Sequence, residues 1–154
     1  FTGFSGPGFF VYTVTDSNGC LELGTLDVNV NSLAASNTGI RDCSGGTVNG
    51  SLIPLVGGGI PPYTYGPTGG SVGGSVTINP SGVYSFTPNT GFNGTGGFGY
   101  QVTDSFGCIS TAAVEVLVSS PIAGNTAVRD CVGGSVSGNL GTLVSSGFPP
   151  YTFG

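Results

Sequence analysis

The sequence predicts an all-β fold, a tandem array of immunoglobulin-sized antiparallel β-sandwich units of 88 residues with about seven strands each. Three observations carry that prediction. Of 154 residues, 31 are Gly and 10 are Pro, so helix breakers recur every few positions, and most of the remainder is Val, Thr, Ser, Tyr and Phe, which suit pleated strands. Apolar residues alternate with polar ones at a period of two. The chain also repeats itself. A hydrophobic content of 38% and a mean hydropathy of +0.30 oppose disorder in spite of the Gly and Pro.

The repeat fixes the organisation. Asn37-Thr38-Gly39-Ile40-Arg41-Asp42-Cys43 returns 88 residues on as Asn125-Thr126-Ala127-Val128-Arg129-Asp130-Cys131. Val14-Thr15-Asp16-Ser17-Asn18-Gly19-Cys20 returns at the same spacing as Val102-Thr103-Asp104-Ser105-Phe106-Gly107-Cys108. Residues 1–66 aligned on 89–154 are identical at roughly half the positions. Residues 1–34 therefore read as the last part of one unit, 37–119 as a complete unit, and 123–154 as the first part of a third. Asn31-Ser32-Leu33-Ala34-Ala35-Ser36 and Ser119-Ser120-Pro121-Ile122-Ala123-Gly124 read as short links. The chain starts at Phe1 with no signal peptide, so it reads as a mature or internal segment.

Within the complete unit, an opening strand is expected around Arg41-Asp42-Cys43, a second around Val48 and Leu52, and a third at Tyr63 and Tyr65 after Pro61-Pro62. Val76 and Ile78, then Tyr84 and Phe86, share a face of two runs joined by the turn sequence Asn79-Pro80-Ser81-Gly82, which predicts a hairpin. Phe98, Tyr100 and Val102 lead into Asp104-Ser105-Phe106-Gly107, and Ala112, Val114, Val116 and Val118 lead out, which predicts a second.

Composition narrows the chemistry. There is no His and no Lys, so the commonest general base, a Schiff-base amine and the imidazole metal ligand are all missing; the expectation is no enzymatic activity. Two cationic residues and a net charge of −5 offer no stripe for phosphates, so no nucleic-acid partner is expected. No apolar run approaches the roughly 20 residues of a membrane span.

Gly82-Val83-Tyr84-Ser85-Phe86-Thr87-Pro88, Gly91-Phe92-Asn93-Gly94 and Tyr100-Gln101-Val102-Thr103-Asp104-Ser105-Phe106-Gly107 resemble the bacterial immunoglobulin-like or cadherin-like tandem repeats of large secreted surface adhesins and extracellular fibres. The resemblance implies an extracellular place, at the bacterial cell surface or in a secreted filament, and neighbouring copies of the same repeat as partners, in one chain or a homopolymer. Calcium-dependent members of that group carry clustered acids at their links. Both links here lack any acid, so calcium is not expected there, and neither metal nor cofactor is.

Cys20, Cys43, Cys108 and Cys131 suggest disulfides in an extracellular setting. If the first strand of an immunoglobulin-like sandwich begins beside the turn between its last two strands, Cys43 and Cys108 meet, closing a loop that contributes about 4 kcal/mol. Cys20 and Cys131 then pair outside this segment. The rival pairing joins Cys20 to Cys43. The same placement expects an ion pair of Arg41 with Asp104, or a weak cation site at Asp42 and Asp104. Phe92, Phe98, Tyr84, Phe86, Tyr63 and Tyr65 match the inward face and read as core, the other reading being a glycan-stacking surface. The functional expectation is a structural stalk or filament of head-to-tail units; the alternative is a glycan- or surface-binding adhesion module.

Overall fold

The computed structural model describes residues 4–43 and 45–154. The chain opens with a hairpin of β1 (Gly6–Thr15) and β2 (Leu21–Val30). Nine strands follow between residues 33 and 118: β3 (Leu33–Ala35), β4 (Thr38–Asp42), β5 (Val48–Ser51), β6 (Val56–Gly58), β7 (Thr64–Val72), β8 (Gly74–Ile78), β9 (Val83–Pro88), β10 (Gly94–Thr103) and β11 (Ile109–Val118). The last segment carries β12 (Ile122–Ala123), a 3-10 turn at Leu140–Leu143 and β13 (Val144–Ser145).

The complete unit is a two-layer sandwich. One sheet runs β4-β11-β10-β7 and the other β5-β9-β8, with a short β3-β6 pair beside them. All neighbours are antiparallel except β4, which lies parallel to β11 with Thr38 opposite Val114 and Asp42 opposite Val118. Period-two alternation sends Phe98, Tyr100 and Val102 of β10, Val114, Val116 and Val118 of β11, and Tyr84 and Phe86 of β9 into one core with Leu52 and Tyr65. Across the layers, the rings of Tyr84 and Phe98 stand 5.1 Å apart and tilted, within the range where aromatic pairs attract.

Both expected hairpins form. At Asn79-Pro80-Ser81-Gly82 the Asn79 side chain accepts from Val83 N (2.9 Å) and Gly82 N donates to Asn79 O (2.9 Å), so the turn is closed by its own residues. Gly82 has φ +87°, and a Cβ there would press on the Tyr65 ring at 2.9 Å.

Two differences from the sequence reading concern the links. Leu33–Ala35, read as part of a link, is a strand of the sandwich, pairing with Val56–Gly58 while Leu33 and Ala35 pack on its core. With β3 and β6 the unit has nine strands where seven were expected. The same pairing returns 88 residues on, where Ala123 faces Val144 and Ile122 faces Ser145. The β1-β2 hairpin likewise keeps the register of β10-β11, Val14 opposite Glu22 matching Val102 opposite Ser110. Its inward-type residues remain exposed, however: Phe10, Tyr12, Val14, Leu26, Val28 and Val30 are all open to solvent.

Candidate functional site

The two ends of the sandwich carry its polar and reactive side chains. At one end is the turn from β10 to β11. Asp104 is buried there, 6% exposed, because its carboxylate closes the turn on itself: Oδ1 accepts from Phe106 N (2.9 Å) and Cys108 N (2.9 Å). Its other oxygen, Oδ2, accepts from Ile60 N (3.2 Å), and Ser105 adds two bonds to the Ile60 carbonyl, one from its N–H and one from its hydroxyl, each 2.9 Å. The turn is thereby fastened to the β6-β7 connection. Burial pushes the Asp104 carboxyl up, but the N–H groups of Cys108, Ile60 and Phe106 together outweigh it and hold the group below the ordinary aspartate value. Asp16 makes the same turn in the first hairpin, bonding Asn18 N and Cys20 N, and the Cys20 N–H leads in lowering its carboxyl.

Arg41, Asp42 and Cys43 lie at the other end. Parallel pairing sets Asp42 opposite Val118, the last residue of β11, whereas Cys108 comes just before its first. Ten strand residues, about 30 Å, separate the two ends. This corrects three expectations. Cys43 and Cys108 cannot bridge, since disulfide Cα atoms stand within about 7 Å. Arg41 does not pair with Asp104, and Asp42 and Asp104 share no cation site. The physical reason is one of phase: the opening strand precedes Cys43, so that residue ends the strand and is carried to the far end. The rival Cys20–Cys43 bridge fares no better by this layout, because Cys20 sits at the turn end of its own hairpin, with the length of β2 between it and the link. All four cysteines are exposed.

What Arg41 does instead is cover Phe148, its guanidinium carbon 5.2 Å from the ring centroid, a cation–π distance. Phe148 occupies in the third segment the position that Ile60 holds in the complete unit. Around them the chain is tied across the link: Ser119 Oγ accepts from Gly147 N (3.0 Å), Ser146 Oγ donates to Ser120 O (2.6 Å) and Ser119 N donates to Asp42 O (3.1 Å). A cavity of about 420 Å³ at this joint is lined by Cys43, Pro121, Phe148, Pro150 and Tyr151 among others. Sequence reasoning missed the joint. Its one signal is the change from Ile60 to Phe148 within an otherwise well-kept stretch, Pro61-Pro62-Tyr63-Thr64 against Pro149-Pro150-Tyr151-Thr152.

The aromatics are core. Tyr65, Tyr84, Phe86 and Phe98 are buried, and Tyr63 and Phe92 pack against them. Burial pushes the phenols of Tyr65, Tyr84 and Tyr100 up. A different surface feature lies along the four-stranded sheet, where a groove of about 720 Å³ is lined by Gly70, Gly97 and Gly99, with Thr95 and Glu115 as its outward polar side chains. Among the described residues no helix is long and apolar enough to cross a membrane.

Residues 38–117, a little over half of the chain, match a family model described as a bacterial Ig domain. No curated protein matches the chain. Among solved structures it is similar to an endo-fucoidan hydrolase from glycoside hydrolase family 107, with a TM-score of 0.40 and 14% identity, over 74% of this chain and 19% of that one. The chain thus spans about a fifth of that protein's length.

Proposed function

The chain belongs to the bacterial Ig domain family, and we propose that it is a structural part of an extracellular bacterial fibre or surface adhesin, a stalk of head-to-tail sandwich units with no catalysis of its own. Domains of this family are commonly extracellular structural or adhesion modules. The observation that carries the finer reading is the joint. β11 passes into β12 through Ser119-Ser120-Pro121 with no spacer, and backbone and side-chain bonds on both sides of that link hold the following segment while Arg41 covers Phe148. A connection of this kind sets one unit on the next in a fixed direction and passes tension along the strands. The low charge, 6% of residues, supports it further, because units with few charges pack closely without mutual repulsion.

The test is the shape of a longer array. Appending a second copy of residues 67–120 after Gly154 makes the third unit whole, and adding further whole units lengthens the series. Small-angle scattering should show a rod that grows by roughly 35–40 Å per unit, as strands of about 3.3 Å per residue require. A maximum dimension that grows as a flexible string of beads would overturn the stalk.

The glycine-lined groove favours a second reading, adhesion to cell-surface glycan. The Thr95 hydroxyl and the Glu115 carboxylate beside this groove suit a polyhydroxylated ligand. A polysaccharide that raises the melting temperature of the chain, and fails to do so with Glu115→Gln, would select this reading. Indifference to a polysaccharide panel would leave the stalk.

A further inference from the structure

We propose that each unit is stapled to the one after it by a disulfide, between the cysteine that ends its opening strand and the cysteine of the β10-β11 type turn in the following unit. For this chain the first partner is Cys43, and the second is the residue equivalent to Cys108 in a whole third unit. The proposal rests on the head-to-tail reading above.

Two independent observations lead to it. The first is the location of Cys43. It lines the cavity at the joint together with Phe148, Pro150 and Tyr151, all from the following unit, and it is exposed. The second is what the complete unit places on the residue equivalent to Phe148. There Ile60 receives the whole turn: its N–H donates to Asp104 Oδ2 (3.2 Å) and its carbonyl accepts from Ser105 N (2.9 Å) and Ser105 Oγ (2.9 Å). Cys108 closes that same turn, its N–H on Asp104 Oδ1 (2.9 Å) and its carbonyl accepting from Asp104 N (3.0 Å). In a whole third unit these bonds set the turn, and its cysteine, on Phe148. Cys43 already stands beside that residue from the other side.

The arrangement also accounts for the cysteine spacing. Within one unit the two cysteines sit at opposite ends of β11, too far apart to pair. Across a joint the two ends meet. Every unit then offers one cysteine forward and one backward, and an array of any length is linked end to end. Load along the fibre passes through covalent bonds in addition to the Arg41–Phe148 contact.

Closure is a two-electron oxidation. The Cys43 thiol and its partner thiol each lose a proton, an S–S bond forms, and the two electrons and two protons pass to a disulfide oxidant that leaves as two thiols. Oxidised glutathione supplies that role in the test.

The test uses the full chain extended by a second copy of residues 67–120 after Gly154, which adds a fifth cysteine to the four present. After refolding with oxidised glutathione, the monomer should lose two of its five free thiols. Nonreducing peptide mapping should join the Cys43 peptide to the peptide of the second Cys108 copy. Cys43→Ser should restore the partner thiol without unfolding the chain, as read by an unchanged melt of the central unit. A folded monomer with five free thiols overturns the staple, as does a bridge from Cys43 to Cys108 or to Cys20. Scattering on the same samples keeps the two readings apart, since a straight rod with free thiols removes the staple and leaves the stalk, whereas a flexible string removes the stalk whatever the cysteines do.

Discussion

Tyr100 donates its hydroxyl to the backbone carbonyl of Ser36 at 2.8 Å, a bond between residues 64 apart in sequence. Tyr100 is fully buried at the centre of β10, and Ser36 lies between β3 and β4. One side chain therefore fills the core and fixes the point where the chain leaves the short β3-β6 pair to join the four-stranded sheet. Tyr100→Phe keeps the ring and strands a carbonyl, and should cost about 1–3 kcal/mol in denaturant melts. Tyr100→Ala removes the ring as well and should cost about 3–5 kcal/mol. If the two variants melt alike, the hydroxyl carries the effect and the packing argument fails.

Tyr65 provides the contrast. It is also buried, yet its hydroxyl has no hydrogen-bond partner among the described residues. Removing a desolvated, unbonded hydroxyl relieves a penalty, so Tyr65→Phe should be neutral or stabilise by up to about 1 kcal/mol. A loss comparable with that of Tyr100→Phe would mean that the Tyr65 hydroxyl is bonded in solution.

The Asp104 carboxyl gives the unit an acid limb. Its folded value lies below the 3.8 of an ordinary aspartate, so the charged form stabilises the fold. That contribution is fully present above the unfolded value, and is lost as pH falls through 3.8 toward the lower folded value. Asp104→Asn should lower the melting temperature at neutral pH, because one end of the amide turns N–H groups toward N–H donors that the carboxylate satisfied. It should also flatten the dependence of melting temperature on pH below about 4. Asp16, which closes the same turn on an exposed hairpin, is the internal control, and Asp16→Asn should leave the melt of the central unit unchanged.

How much of this was legible depended on where the determining information lies. The two hairpins were plain because period-two alternation and the turn sequences Asn79-Pro80-Ser81-Gly82 and Asp104-Ser105-Phe106-Gly107 are local. β3 and β6 were not. Leu33-Ala34-Ala35 and Val56-Gly57-Gly58 are three residues each, too short for a period, and they become strands only by pairing with one another. The ends of the sandwich were misplaced because the sequence shows Arg41, Asp42 and Cys43 as a motif but not which side of it the strand occupies. With Thr38–Asp42 as the strand and β11 parallel to it, the motif moves to the far end. The placement of Phe148 under Arg41 is a property of the joint, and a joint has no local signature.

The segments on either side of the central sandwich make the last prediction. The β1-β2 hairpin has the register of β10-β11, yet Phe10, Tyr12 and Val14 on one strand and Leu26, Val28 and Val30 on the other are exposed, where their counterparts in the complete unit are buried. A two-stranded hairpin is at best marginally stable alone, and among the described residues no second layer covers this one. Between Gly124 and Asn139 the third segment has no regular strand or helix, and backbone without such pairing opens readily. Limited proteolysis of the 154-residue chain with chymotrypsin, read by mass spectrometry, should cut early within residues 9–12 and leave a resistant core near residues 33–120. The core begins at residue 33 because β3 belongs to the sandwich. The opposing outcome is assembly of the chain alone into regular filaments with both ends protected. In that case the segment 123–154 of one copy would be covering the exposed face of the β1-β2 hairpin of another, with Thr126–Asp130 taking beside Leu26–Val30 the place that Thr38–Asp42 takes beside Val114–Val118. Such a composite unit would lack the counterparts of β8 and β9, and with them those of Tyr84 and Phe86, and that open core is the reason to expect digestion.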